Sequence, residues 1–184
     1  MRRMTLLVFG IVLICASAAT FTDDGGRRKI DVRLSGYQET LVALSTTGNG
    51  HFQALINKDE TEITWQLSYG DLEGSVTQSH IHFGARAQTG GVSVFLCSNL
   101  GNGPAGTPAC PASAPADNPL TGVSTAANVI GPAAQGIAAG EFAELVAAIR
   151  AGVAYVNVHS TKYPGGEIRA QFPDTDHDHG HDHH

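Results

Sequence analysis

Glu62-Ile63-Thr64-Trp65-Gln66-Leu67-Ser68-Tyr69 alternates without a break, with Ile63, Trp65, Leu67 and Tyr69 on one side and polar residues on the other. Strand side chains point to opposite faces with a period of two, so this octet predicts a half-buried strand with an apolar core face. Its neighbours extend the pattern. Ile30-Asp31-Val32-Arg33-Leu34 alternates, residues 51–56 do so in part, and Asn57-Lys58-Asp59-Glu60 reads as a polar hairpin connection. Residues 76–83, 91–97, 154–159 and 167–172 complete a set of short strands with Gly-rich turns between them. Such a set predicts an all-β sandwich or barrel, not βαβ units.

Two segments break the pattern. Residues 98–119 are rich in Gly, Pro, Ala and Asn and read as a long surface loop. Residues 141–150 carry helix formers with apolar side chains at helical spacing, and Gly152 is a suitable stop, so one short helix is expected across an end of the sandwich.

The ends of the chain speak to location. Met1-Arg2-Arg3, the apolar run from Leu6 to Ile14 and Ala16-Ser17-Ala18-Ala19 have the order of a secretory leader, with cleavage expected after Ala18 or Ala19. The apolar run is shorter than the roughly 20 residues of a membrane span. Residues 20–29 read as a flexible lead-in and the expected location is periplasmic or secreted. Export removes Cys15 and leaves Cys97 and Cys110, which flank the Gly/Pro-rich loop and read as a disulfide in an oxidising compartment. Loss of Arg2 and Arg3 takes the net charge from −6 to −8, which argues against nucleic acid or an anionic membrane as partner.

Chemistry concentrates in the histidines. Ser79-His80-Ile81-His82-Phe83-Gly84 places two imidazoles on one strand face, and Tyr155-Val156-Asn157-Val158-His159 supplies a third on another strand. Neutral imidazoles bind copper, zinc and nickel, and among these copper binds tightest, so a copper site at His80, His82 and His159 is expected. The competing reading is structural: histidines bonded to neighbouring loops, with His159 capping the turn before Pro164-Gly165-Gly166. The terminal His177, His179, His181, His183 and His184 alternate with aspartates in a segment without apolar residues, a composition that scavenges metal, copper or zinc, without folding. Glu167 beside Arg169 reads as a surface ion pair, Glu39 as part of a turn or buried hydrogen-bond network, and Trp65, Tyr69 and Tyr155 as core.

Four motifs in order, Leu34-Ser35-Gly36-Tyr37-Gln38-Glu39-Thr40, Ser79-His80-Ile81-His82-Phe83-Gly84, Ala154-Tyr155-Val156-Asn157-Val158-His159-Ser160 and Pro164-Gly165-Gly166-Glu167-Ile168-Arg169-Ala170-Gln171, resemble the CHRD (chordin) domain family as found in exported bacterial proteins. The resemblance sets the domain at 30–173, followed by a disordered tail at 174–184. It implies a Greek-key β-sandwich or barrel similar to the copper/zinc superoxide dismutases. On that more distant likeness, His80, His82 and His159 match three copper ligands, Arg169 is the candidate to steer superoxide or another small anion, and His51 is the candidate fourth ligand. The sequence departs after Gly84, where no His or Asp supplies a zinc site. Three functions follow: a copper-dependent, dismutase-like oxidoreductase; a periplasmic metal-binding or storage protein; and a metal-free extracellular interaction module.

Overall fold

The computed structural model describes residues 28–175. The expected leader, most of the lead-in and the histidine-rich tail lie outside the described residues. The strands are β1 (Lys29–Ser35), β2 (Asn49–Ile56), β3 (Glu62–Gly70), β4 (Val76–Phe83), β5 (Gly91–Ser98), β6 (Leu120–Thr125), β7 (Ala154–Ser160) and β8 (Ile168–Gln171), with the helix α1 (Phe142–Arg150) before β7. They form one antiparallel sheet in the order β5-β4-β7-β8-β1-β2-β3-β6. Its two edges, β5 and β6, face each other across a cleft lined by Phe95 and Leu96 on one side and by Thr121, Gly122, Val123 and Ser124 on the other. The Ile130 N–H donates to the Ser93 carbonyl at 2.9 Å and ties the segment after β6 to β5. The sheet is thus a nearly closed barrel, and its non-sequential neighbours β3–β6 and β4–β7 give the crossing connections of a Greek key.

The core follows the alternation. Ile63, Trp65, Leu67 and Tyr69 point inward with Phe52, Ala54 and Ile56 of β2, Ile81 of β4, and Val156 and Val158 of β7, all buried. In α1 the apolar stripe Phe142, Leu145, Val146 and Ile149 is buried as expected. No helix of the described residues is long and apolar enough to cross a membrane.

One strand is not announced by its sequence. In β6 only Ser124 is buried and Val123 is half exposed, so no apolar alternation marks it. Gly122 is there because it lies opposite Trp65: a Cβ would stand 2.3 Å from the indole Cζ2. The Trp65 indole N–H donates to Ser124 Oγ at 3.0 Å and fixes the register.

Cys97 and Cys110 form the expected disulfide. The loop it closes is further tied by Asn99, whose amide donates to the Val76 and Cys110 carbonyls and accepts from the Cys110 N–H. Closing a loop with a sequence separation of 13 removes denatured-state entropy worth about 3 kcal/mol. A Cys97→Ser/Cys110→Ser variant should show that loss in urea denaturation, with no change on adding reductant.

The feature that positions the site lies on the outside of the barrel. His80 and His82 alternate with core Ile81; Tyr155, Asn157 and His159 alternate with core Ala154, Val156 and Val158; Arg169 and Gln171 alternate with core Ile168 and Ala170. All seven outward residues are nevertheless buried, because loops cover them. The 84–90 loop accepts hydrogen bonds from Arg169 and His82, the 161–166 loop from His159, and Gln38 of the loop after β1 meets the Gln171 N–H. A second, polar layer is enclosed between sheet and loops.

The expected surface ion pair of Glu167 and Arg169 does not exist. Both are buried, and Glu167 Oε1 instead accepts from the Thr46 hydroxyl and the Glu73 N–H, each at 2.7 Å. The strand β8 is buried on both faces and Glu167 immediately before it is buried too, so neither side chain has solvent to reach.

Candidate metal centre

His80 and His82 stand side by side on β4, and antiparallel pairing sets Asn157 of β7 opposite His80 and Tyr155 opposite His82. His159 pairs with Gln78, two residues along the same face, and its ring returns to the pair. The ring centroids lie 5.3 Å apart for His80–His82, 5.1 Å for His80–His159 and 6.2 Å for His82–His159. One nitrogen from each ring falls within 4.8 Å of the other two, and all three side chains are buried.

Hydrogen bonding decides which nitrogens are free. His82 Nδ1 lies 2.9 Å from the Gly90 carbonyl and His159 Nδ1 lies 2.9 Å from the Pro164 carbonyl. A carbonyl only accepts, so each Nδ1 carries the proton and each Nε2 keeps its lone pair. Backbone carbonyls in this role orient ligating imidazoles in metal sites. His80 Nδ1 is 3.2 Å from His159 Nε2. His80 Nε2, His82 Nε2 and Asn157 Oδ1 are buried with no hydrogen-bond partner among the described residues. Unpartnered buried polar atoms are costly, and here they gather on one polar face.

Electrostatics keeps the rings neutral. Burial pushes His80 down to about 2, helped by the neighbouring His159 and His82, and pushes His82 down to about 4. Burial also lowers His159. Neutral imidazole is the ligating form, so no proton has to leave before a metal binds near neutral pH. The donor set therefore fits a transition metal. The bland alternative holds in part as well, since His159 does bond the turn at Pro164, but that bond uses Nδ1 and leaves Nε2 facing the cluster.

The other expected residues fall elsewhere. His51, on β2, is not brought to the cluster; its Nε2 lies 2.6 Å from Asp31 Oδ1, and Asp31 also accepts from Gln53. Arg169 is buried, with its guanidinium carbon 3.6 Å from the centre of the Tyr155 ring. That ring stacks on His82 with centroids 4.7 Å apart and planes 2° from parallel. Two groups this close to one ring take its opposite faces, so the Tyr155 ring stands between Arg169 and His82, and the guanidinium reaches the centre by its charge, which helps lower His82, and not by contact. The tail histidines lie outside the described residues.

Residues 30–172 match the family model for the CHRD domain. The chain belongs to the CHRD domain family. No curated protein and no solved structure matches it. In this CHRD domain the recognisable motifs are one construction: the histidines, Tyr155 and Asn157, and Arg169 with Gln171 share a single outward face. Tyr155 and Asn157 were not legible as site residues, although Tyr155-x-Asn157-x-His159 has the same period of two as His80-x-His82.

Proposed function

We propose that this CHRD domain is an exported metal-binding protein whose folded site holds one copper ion at His80, His82 and His159, with the histidine-rich tail as a collector. The observation that carries the reading is the closed set of three neutral imidazoles with ligand nitrogens within 4.8 Å, two of them oriented by carbonyls. The affinity order of divalent metals for nitrogen sites supports copper. Bound there, copper would supply one-electron redox chemistry.

Burial of all three histidines favours holding the ion over turning over a substrate, because turnover needs an open coordination position. The engagement of Arg169 with Tyr155 points the same way. The leader-like start and the paired cysteines support export.

The test is a copper titration of a variant in which the five tail histidines are alanine. One equivalent of Cu(II) bound to that protein is the expected result; no binding would leave the tail as the only collector and remove the folded site. The copper-loaded protein should not accelerate the loss of superoxide. Acceleration would restore the dismutase-like reading.

A further inference from the structure

We propose that the cavity bounded by Gln38, Glu39, Arg86, Arg169 and Gln171 is a binding site for a small oxyanion of carboxylate size. The site is separate from the metal centre, since the Tyr155 ring stands between Arg169 and His82.

The first ground is a buried positive charge with no carboxylate bonded to it. Arg169 donates to the Gln88 carbonyl at 3.0 Å, the Ala85 carbonyl at 3.2 Å and Gln171 Oε1 at 2.7 Å. All three acceptors are neutral, and no described carboxylate lies within ion-pair distance of it. Gln171 is itself fixed, its amide donating to the Gly84, Gly152 and Ala154 carbonyls. The guanidinium is held rigidly, and its charge is met only by the Tyr155 ring and, across the cavity, by Glu39, which is not bonded to it. A buried charge in that state favours an anion beside it.

The second ground is the wall of the cavity. Arg86, exposed at the rim, adds a second cation. Glu39 faces both, packed so closely on Gly166 that a Cβ there would stand 2.5 Å from Glu39 Oε1. Burial raises the Glu39 carboxyl to about 7, so near neutral pH much of it is the acid form, which donates to an anion instead of repelling it. The charged and titratable groups facing Glu39 are Arg169 from β8, Tyr155 from β7, and Arg86 and Tyr37 across the cavity. The volume, about 230 Å3, suits a ligand of a few heavy atoms with some water.

The probe is acetate, titrated into the purified, metal-stripped protein and followed by calorimetry, with acetamide as the uncharged isostere. Saturable binding of acetate but not acetamide is expected. Reversing the rim charge with Arg86→Glu, at a solvent-exposed position, should weaken it at least about tenfold. Glu39→Gln should bind acetate several-fold more tightly than the wild type at pH 8 and equally at pH 6. Absence of saturable binding, equal binding of acetamide, or an Arg86→Glu protein that binds as the wild type does would each overturn the proposal. Because no metal is present, these outcomes leave the copper titration independent.

Discussion

Replacing His82 by phenylalanine should weaken Cu(II) binding on the order of a thousandfold, beyond the ten- to hundredfold that loss of an outer-shell partner costs. The reason is geometric. His82 supplies one of three nitrogens within 4.8 Å of one another, and its Nε2 has no hydrogen-bond partner among the described residues. Phenylalanine keeps a flat ring against Tyr155, so the 4.7 Å stack survives while the donor is removed. His159→Phe should do the same. His51→Ala is the control: that imidazole pairs with Asp31 away from the cluster, and its loss should leave the affinity unchanged. The titration is made with the tail histidines replaced. A His82→Phe protein that still binds copper as tightly as its parent would refute the three-histidine site, and a large loss in His51→Ala would make the site a four-histidine one.

The sequence carried the site further than it carried its surroundings, for a physical reason. A His-x-His on a strand needs only the period of two, and the clean alternation of Glu62 to Tyr69 needs only the same rule plus a core. His159 joins because β7 pairs with β4, a long-range pairing that no local pattern encodes; the family motifs supplied it. What stayed hidden is the covering. Alternation marks Asn157, Arg169 and Gln171 as facing away from the core, and the ordinary reading of such a face is solvent; Tyr155, read as core, lies buried on that same outward face. Loops distant in sequence enclose it instead: Gln38 reaches the Gln171 N–H across 133 residues. The misplaced pair Glu167 and Arg169 has the same origin, two polar residues assigned to a surface that is not one. The strand β6 was missed because its partner, Trp65, demanded a glycine where a pattern would need an apolar residue.

Metal-free protein should lose stability on acidification through the window from pH 6.5 down to about 4, and the histidines are the cause. Their folded pKa values lie below the unfolded value of 6.5, so as pH falls the unfolded chain takes up protons that the folded chain refuses. Stability is therefore fully present above pH 6.5 and is lost as pH drops toward the folded values. At about 1.4 kcal/mol per pH unit, His80 and His82 each remove on the order of 3 kcal/mol by pH 4.5, and His159 adds a loss of the same sign. Glu39 works against them. Its carboxyl is raised from 4.5 to about 7, so it destabilises the fold at neutral pH and releases roughly 3 kcal/mol as it is protonated. The net fall is about 3 kcal/mol, a large share of the 5–15 kcal/mol typical of a domain. Urea denaturation of the EDTA-treated wild type and His82→Phe at pH 7 and pH 4.5 separates the contributions. His82→Phe removes one of the two large histidine penalties and should lose markedly less on acidification than the wild type. Equal losses in the two proteins would mean that His82 takes up its proton in the folded state, and that the loops do not exclude water from the cluster. The same burial that makes the site costly in acid keeps its imidazoles neutral for metal at pH 7, so the His82→Phe protein should gain stability at pH 4.5 by the change that loses it the ion.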